Sequence, residues 1–384
     1  MKRWPLAATA TATATMALAL SAGGCGHPMV PSSAMKRALP PATSHPSSGS
    51  TGPGPQLGVD LYAGTSFPLP AVRRDGQRNL RYIARTLGAE SVGLIWNLYS
   101  PSGTSDSVIP TKISLSPAAV EALTVIAQAH HLSVQYRPLI RVDPQWDWEG
   151  IIMPPDKRAW FESLFRAELP YLRIAERLHV NEFVVGTELS GLNASSEWPW
   201  FLAKVRSVYH GTISYAAYQN QYFNVPRDLP PLKEFGIDPY PSVNVPPSAS
   251  VDELVDGWDY YFRTVPQSLL QRTVMDEVSI AATDGAYITP SVWSVQGARD
   301  PQIQVRWFTA ACKVVRQYSM RGLYFYELDL TDNLAHPPNF PASFFGKPGA
   351  GAIRSCLRIL QQGSRGGAHH GKARTTDSTV ARSS

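Results

Sequence analysis

The sequence has few of the features that mark several large classes of protein. It contains only three cysteines in 384 residues, and charged residues make up 17% of it. It lacks an HExxH motif, a paired CxxC motif and an Asp/Asn-rich calcium loop, which hold metals in many proteins. No glycine-rich phosphate loop follows the first strand-like segment, and no GxSxG elbow is accompanied by a suitable histidine. We therefore expect no metal and no cofactor.

Electric charge is concentrated at the two ends of the chain. Residues 1–56 carry four basic and no acidic side chains, and residues 363–384 add a further net charge of +3. Since the whole chain has a net charge of +5, the segment 57–362 is slightly acidic. Binding to a phosphate backbone requires a basic surface. We therefore expect no nucleic-acid partner.

The N-terminus has the pattern of an export signal. Lys2 and Arg3 precede a threonine-rich apolar stretch that is too short to span a membrane. The stretch ends in SAGGC, which resembles a bacterial lipobox, so residues 1–25 are predicted to be a signal peptide with Cys25 lipidated. A plain secretory signal is the alternative. The protein is predicted to be exported, either secreted or held at the cell envelope by its lipid alone.

The rest of the chain divides into a linker, one folded domain and a tail. Residues 26–56 are rich in proline, serine and glycine and are predicted to form a linker, and 363–384 a disordered tail. In 57–362, strand-like and helix-like segments alternate eight times. This order predicts a single (β/α)8 barrel, expected to be monomeric. A doubly wound open sheet is the rival. Cys312 and Cys356 lie in predicted helices, where a disulfide and two buried thiols are both possible.

The predicted strands are short apolar or β-branched segments. They comprise 57–61, 90–96, 133–142, 181–188, 211–218, 234–240, the segment that holds Glu277, and 322–330.

Two glutamates end buried-type strands far apart along the chain. Glu188 ends the fourth predicted strand and Glu277 ends the seventh. Because active sites of such folds lie at the carboxyl ends of the strands, both carboxylates are predicted to meet there. A pair of carboxylates can cleave a glycosidic bond, one as the acid and one as the nucleophile. Because side chains alternate between the two faces of a strand, only one of Asp276 and Glu277 can face the barrel interior. Asp276 is therefore the alternative to Glu277 if the strand is shifted by one residue.

Aromatic and polar residues near other strand ends are candidates for sugar binding. Sugar rings stack on aromatic faces, although any single tryptophan more often packs inside a loop. The aromatic candidates are Trp96, Tyr99, Trp146, Trp148 and Trp293. The polar candidates are Asp60, Asn97, Asp238, Glu327 and Asp329.

Several segments resemble glycoside hydrolase family 113. They are YRPLIRVDPQWDWEG from residue 136, GTELSGLNASSEWPWF from 186, FGIDPYPSV from 235, DEVSIAATDGA from 276 and FFGKPGAGAI from 344. The resemblance implies a retaining barrel glycosidase with β-mannanase-like activity. It implies Glu188 as acid/base, Glu277 as nucleophile and Tyr240 as the aromatic residue that hydrogen-bonds the nucleophile.

The chain departs from that family pattern at three places. Arg137, Pro138 and Leu139 stand where the resemblance implies Lys-Pro-His, Glu149 stands in place of an arginine, and the eighth strand lacks a tryptophan. We therefore predict an exported retaining glycoside hydrolase acting on a β-linked polysaccharide or oligosaccharide, with β-mannan as one candidate. The alternatives are a non-catalytic carbohydrate-binding lipoprotein on a degenerate glycosidase barrel and a protein-binding scaffold of the cell envelope.

Overall fold

The computed structural model describes residues 55–142, 148–219, 221–224 and 230–370, with the backbone alone described at 224 and 364–370. The predicted signal peptide with Cys25, most of the predicted linker, Trp146 and the end of the predicted tail lie outside the described residues. Within them, eight parallel strands follow one another around a closed barrel. The predicted (β/α)8 barrel is confirmed, and the open sheet is excluded.

Each strand is a short segment whose side chains are almost all buried. The strands are β1 (Gln56–Ala63), β2 (Ser91–Ser100), β3 (Ser133–Val142), β4 (Glu182–Thr187), β5 (Thr212–Tyr218), β6 (Glu234–Asp238), β7 (Thr273–Val278) and β8 (Gly322–Asp329).

Helices surround the barrel and begin at residues suited to that position. Ser116 and Asp300 accept hydrogen bonds from backbone N–H groups of the first turns of their helices, and Ser250 forms a capping box with Glu253. The helix that follows Ser250 ends at Phe262, and a separate short helix begins directly after Pro266. The helices are α1 (Leu69–Arg81), α2 (Pro117–Ala129), α3 (Lys157–Arg177), α4 (Trp198–Arg206), α5 (Val251–Phe262), α6 (Gln267–Leu270), α7 (Pro301–Tyr318) and α8 (Pro348–His370).

The last two helices are joined covalently. Cys312 of α7 and Cys356 of α8 form a disulfide with their Cα atoms 5.5 Å apart. The choice between a bridge and two free thiols is therefore decided in favour of the bridge. The backbone of α8 stays helical to His370, beyond the predicted domain boundary at 362. None of the helices in the described ranges is both long and apolar enough to cross a membrane.

Three strands carry an extra residue near their carboxyl ends. In β4, Val184 and Thr187 pair with Ser214 and Ala216, so three steps along one strand match two along the other. The same shift occurs in β7 between Met275 and Val278, and in β8 between Phe325 and Leu328. Bulges of this kind re-aim the side chains beside them. All three lie next to a glutamate: Glu188, Glu277 and Glu327.

Candidate active site

Glu277, on β7, is held through both of its carboxylate oxygens. The hydroxyl of Tyr240 donates a hydrogen bond to Oε2 at 2.7 Å, and Nη1 of Arg137 lies 3.4 Å from Oε1. The residue keeps 9% of its surface exposed, so a substrate could still reach it. These contacts fix the orientation of the carboxylate at the mouth of the barrel.

The β7 bulge also corrects the prediction made for Asp276. Strict alternation allows only one of Asp276 and Glu277 to face the interior, yet both do. Asp276 accepts a hydrogen bond from Nε2 of Gln135 at 3.2 Å, deeper in the barrel, while Glu277 reaches Arg137. Burial raises the pKa of Asp276 to about 7. Since Asp276 is fully buried and Glu277 is not, only Glu277 is placed to meet a substrate.

Arg137 is a fully buried cation beside three carboxylates. Its Nη2 lies 2.8 Å from Asp60, and its Nη1 lies 3.5 Å from Asp238 and 3.4 Å from Glu277. Burial raises the pKa of Asp60 and of Asp238 well above the ordinary range, although Arg137 opposes the rise in both. One guanidinium group therefore balances a cluster that could not ionise fully on its own.

Glu188 follows β4 in a left-handed backbone conformation, with φ at 50°. Its backbone N–H donates to the carbonyl of Ala216 on β5 at 2.8 Å. The indole N–H of Trp148, from the loop after β3, donates a hydrogen bond to Oε2 of Glu188. The Trp148 ring in turn packs on Tyr218 of β5, with ring centroids 4.6 Å apart. Two neighbouring elements thus orient this carboxylate.

The two glutamates lie at the same end of the barrel. Asp238, on β6, shares Nη1 of Arg137 with Glu277, and the negative charges of both Glu277 and Glu188 raise its pKa further after burial. Tyr218, which contacts the Trp148 ring beside Glu188, lies opposite Asp238 on the neighbouring strand. The structure therefore brings Glu188 and Glu277, 89 positions apart in the sequence, to one site.

Aromatic side chains form a wall beside Glu277. The ring of Trp293 lies 6.1 Å from that of Tyr240, 5.7 Å from that of Tyr326 and 6.3 Å from that of Phe340. Trp293 is partly exposed and Phe340 is 38% exposed. Trp293 and Trp148 therefore flank the two glutamates, as the sequence suggested for sugar-binding residues.

Three predicted sugar-binding residues have no exposed surface. Trp96 has no exposed surface because β2 continues to Ser100, which leaves Trp96 in mid-strand, packed against Tyr171 of α3. Asn97 is also fully buried, and its Nδ2 donates to Tyr62 and to the carbonyl of Gly64. Asp60 has no exposed surface and pairs with Arg137. These three side chains thus have no surface open to a ligand in this structure, and their contact with a sugar stays a prediction.

The remaining candidates lie at or near the mouth. Glu327 and Asp329 are partly exposed at the end of β8, whereas Tyr99 is buried in β2. Sequence reasoning missed Arg141, which lies one residue before the end of β3 and pairs with Glu149 at 3.4 Å. It also missed Tyr62, Tyr218 and Tyr326. Their only signal was a position near a strand end.

Over the described ranges, no group of three or more His, Cys, Asp or Glu side chains is arranged to hold a metal ion.

Three comparisons place the chain among known proteins. The sequence model of Glycoside Hydrolase Family 113 matches residues 74–335, which is more than half of the chain. The comparison with curated proteins finds no match.

Solved structures share the fold at low sequence identity. A family 113 β-1,4-mannanase matches with a TM-score of 0.68 at 18% identity, over 79% of this chain and 99% of its own. The family 113 β-mannanase AaManA from Alicyclobacillus acidocaldarius, in complex with ManMIm, matches with a TM-score of 0.66 at 16% identity, over 80% of this chain and 98% of its own. A family 5 enzyme from Streptomyces cattleya in complex with GlcNAc matches with a TM-score of 0.51 at 12% identity, over 79% of this chain and 81% of its own. Together, the family match and the barrel show that this chain belongs to glycoside hydrolase family 113 and is a glycoside hydrolase.

Proposed function

We propose that the enzyme cleaves β-linked polysaccharide or oligosaccharide, with β-mannan as the first substrate to test, and that it retains the anomeric configuration. The pairing of Glu188 and Glu277 at one mouth carries this proposal. The two family 113 structures described above are β-mannanases, which supports mannan as the substrate. The partly exposed Trp148, Trp293 and Glu327 and the nearby Tyr240 are proposed to bind the sugar.

In the proposed first step, a carboxylate oxygen of Glu277 attacks the anomeric carbon. The bond from that carbon to the glycosidic oxygen breaks, and Glu188 transfers its proton to the leaving oxygen. An ester between the sugar and Glu277 results. In the second step, Glu188 takes a proton from water, whose oxygen attacks the anomeric carbon and releases Glu277. Retention requires carboxyl groups roughly 5–5.5 Å apart, against about 6.5–9.5 Å for inversion.

The contacts of the two glutamates support different roles for them. Glu277 is fixed by a cation and a hydroxyl, which suits a carboxylate that must attack as an anion. Glu188 accepts a hydrogen bond from the neutral indole N–H of Trp148, whose ring contacts that of Tyr218. Aromatic faces on that side would support the leaving portion of the chain, where the proton is needed.

We propose further that the enzyme acts outside the cytoplasm as a monomer. Residues 1–25 have the pattern of an export signal with Cys25 as the lipidated residue, and the Cys312–Cys356 disulfide suits an oxidising compartment. Metabolic labelling with a radioactive fatty acid, comparing the wild type with Cys25→Ser, tests the anchor. Equal labelling of the two chains would rule it out.

Kinetics on mannan, glucan and xylan test the catalytic pair. We expect Glu277→Gln and Glu188→Gln each to lower kcat by at least about a thousandfold, because each removes a group that reacts. Glu162→Gln, at a partly exposed position on α3, is the matched control and should keep full activity. The first-formed anomer, followed by NMR, should have the configuration of the substrate. An inverted product, or full turnover by Glu277→Gln, would refute the mechanism.

A further inference from the structure

A third acid, Glu327, belongs to the same site, and the proposed two-step reaction does not use it. The bulge in β8 pairs Phe325 with Val59 and Leu328 with Leu61, so one extra residue lies between them. The charged and titratable groups that interact with Glu327 come from four strands: Tyr326 and Asp329 from β8, Glu277 from β7, Arg141 from β3, and Asp60 and Tyr62 from β1. Glu327 is thus a neighbour of the proposed nucleophile.

One oxygen of Glu327 is not used by the protein itself. Oε2 is buried and has no hydrogen-bond partner among the residues that the structure describes, although the side chain as a whole is partly exposed. A buried polar atom without a partner costs free energy, and native proteins keep few of them. Such an atom beside a reactive carboxylate is placed to meet a substrate.

The surroundings of Glu327 also favour its neutral form. Burial raises its pKa to about 8; a hydrogen bond from Tyr326 opposes the rise, whereas the charges of Asp329 and Glu277 add to it. Arg141 opposes the rise as well, but its guanidinium group also lies 3.4 Å from the buried Glu149. A carboxyl group that keeps its proton can donate a hydrogen bond, which a carboxylate cannot do.

We propose that Glu327 is a neutral carboxylic acid that donates a hydrogen bond to a hydroxyl oxygen of the sugar bound beside Glu277. This inference rests on the proposed function and deepens it, because it names the class of sugar at that position. The sugar is a neutral pyranose with a free hydroxyl. A uronic acid is disfavoured, since its carboxylate would lie among Glu277, Glu327 and Asp329. Ionised Glu327 could no longer donate this bond, so a hydroxyl that already gives its own proton to Glu277 would lose its donor and face a second negative charge.

Binding in a background that cannot turn over separates this role from catalysis. In Glu188→Gln protein, the dissociation constant of β-1,4-mannotetraose is measured by calorimetry from pH 5.5 to 9.5. If the wild type cleaves another β-glycan instead, the tetrasaccharide of that glycan is used. We expect binding to weaken about tenfold as the pH rises, with a midpoint near 8.

Three further variants in the Glu188→Gln background identify the titrating group. Added Glu327→Gln keeps a donor that does not ionise, so its affinity should stay within about threefold of the parent at pH 6 and should not change with pH. Added Glu327→Leu has no donor and should bind about tenfold more weakly even at pH 6. Added Asp329→Asn should retain the pH dependence. Melting temperatures show that each variant is folded.

The outcomes separate failure of this inference from failure of the proposed function. A pH dependence that persists in the Glu327→Gln variant, or disappears in the Asp329→Asn variant, overturns the role of Glu327 while the wild type still cleaves its glycan. An affinity of the Glu327→Leu variant equal to that of the Glu188→Gln parent at pH 6 also overturns the role of Glu327. A wild type that cleaves none of the three glycans overturns the proposed function, and this inference with it.

Discussion

Tyr240 is the clearest example of how a single side chain can prepare the proposed nucleophile. Its hydroxyl lies 2.7 Å from Oε2 of Glu277, and burial raises the pKa of Tyr240 well above its ordinary range, with the Glu277 charge adding to that rise. Tyr240 therefore remains a donor throughout the working pH range. A hydrogen bond to a charged group contributes about 1.5–3 kcal/mol.

We expect Tyr240→Phe to lower kcat about 10- to 100-fold with little change in folding, because the hydroxyl is lost while the ring can still pack against Trp293. Tyr318→Phe is the matched control. It removes a hydroxyl that contacts Asp259 on the outside of the barrel, so kcat should not change. Steady-state kinetics on an aryl glycoside and thermal melts measure both variants. Equal kcat values for the two would mean that the hydroxyl has no part in the reaction.

At the scale of elements, local rules explain where the strands lie but not how their ends are adjusted. The strand β2 extends four residues beyond its predicted end, and this extension buries Trp96. The bulge in β7 depends on how Met275 and Val278 pair with β8, and no local sequence pattern specifies it. Gly236 on β6 makes room beside that bulge, since a Cβ there would collide with Oδ2 of Asp276. Register between strands is thus set by neighbours far away in sequence.

The disulfide between α7 and α8 gives a prediction at this scale. It closes a loop across a sequence separation of 44, which restricts the unfolded chain. We expect the double variant Cys312→Ser/Cys356→Ser to lose about 2–4 kcal/mol of unfolding free energy and to retain its kcat, because the bridge is remote from the site. Urea titration of the oxidised protein and the variant, with and without reductant, measures the loss. Identical unfolding midpoints would contradict it.

Across the whole molecule, the barrel interior contains many carboxyl groups that are costly to ionise. Burial raises the pKa of Asp60, Asp238 and Asp276, the last to about 7. A raised pKa in the folded state means that the folded chain holds a proton that the unfolded chain has released. Stability from such a group is fully present below the unfolded pKa of about 4 and is lost as the pH rises through the folded value.

We therefore expect Asp276→Asn to reduce the loss of stability between pH 4 and pH 7, by up to about 1.4 kcal/mol for each pH unit. The substituted amide cannot ionise. The unfolding free energy of the variant should therefore rise relative to that of the wild type as the pH rises, and this relative gain should level off above about pH 7. Denaturant titrations across that range measure it. Asp252→Asn, at an exposed position, should leave the curve parallel to wild type, and a parallel curve for Asp276→Asn would contradict the expectation.

The sequence alone determined the barrel and the two glutamates, because alternating apolar segments and a carboxylate at the end of a buried strand are local patterns. It also pointed to Trp148, Trp293 and Tyr240, which lie near the two glutamates. Only the tertiary structure decided that Asp276 and Glu277 share the interior, that Trp96 is core, and that Arg137 joins Asp60, Asp238 and Glu277. Those facts depend on bulges and on charges brought together from different strands, which appear only once the barrel has closed.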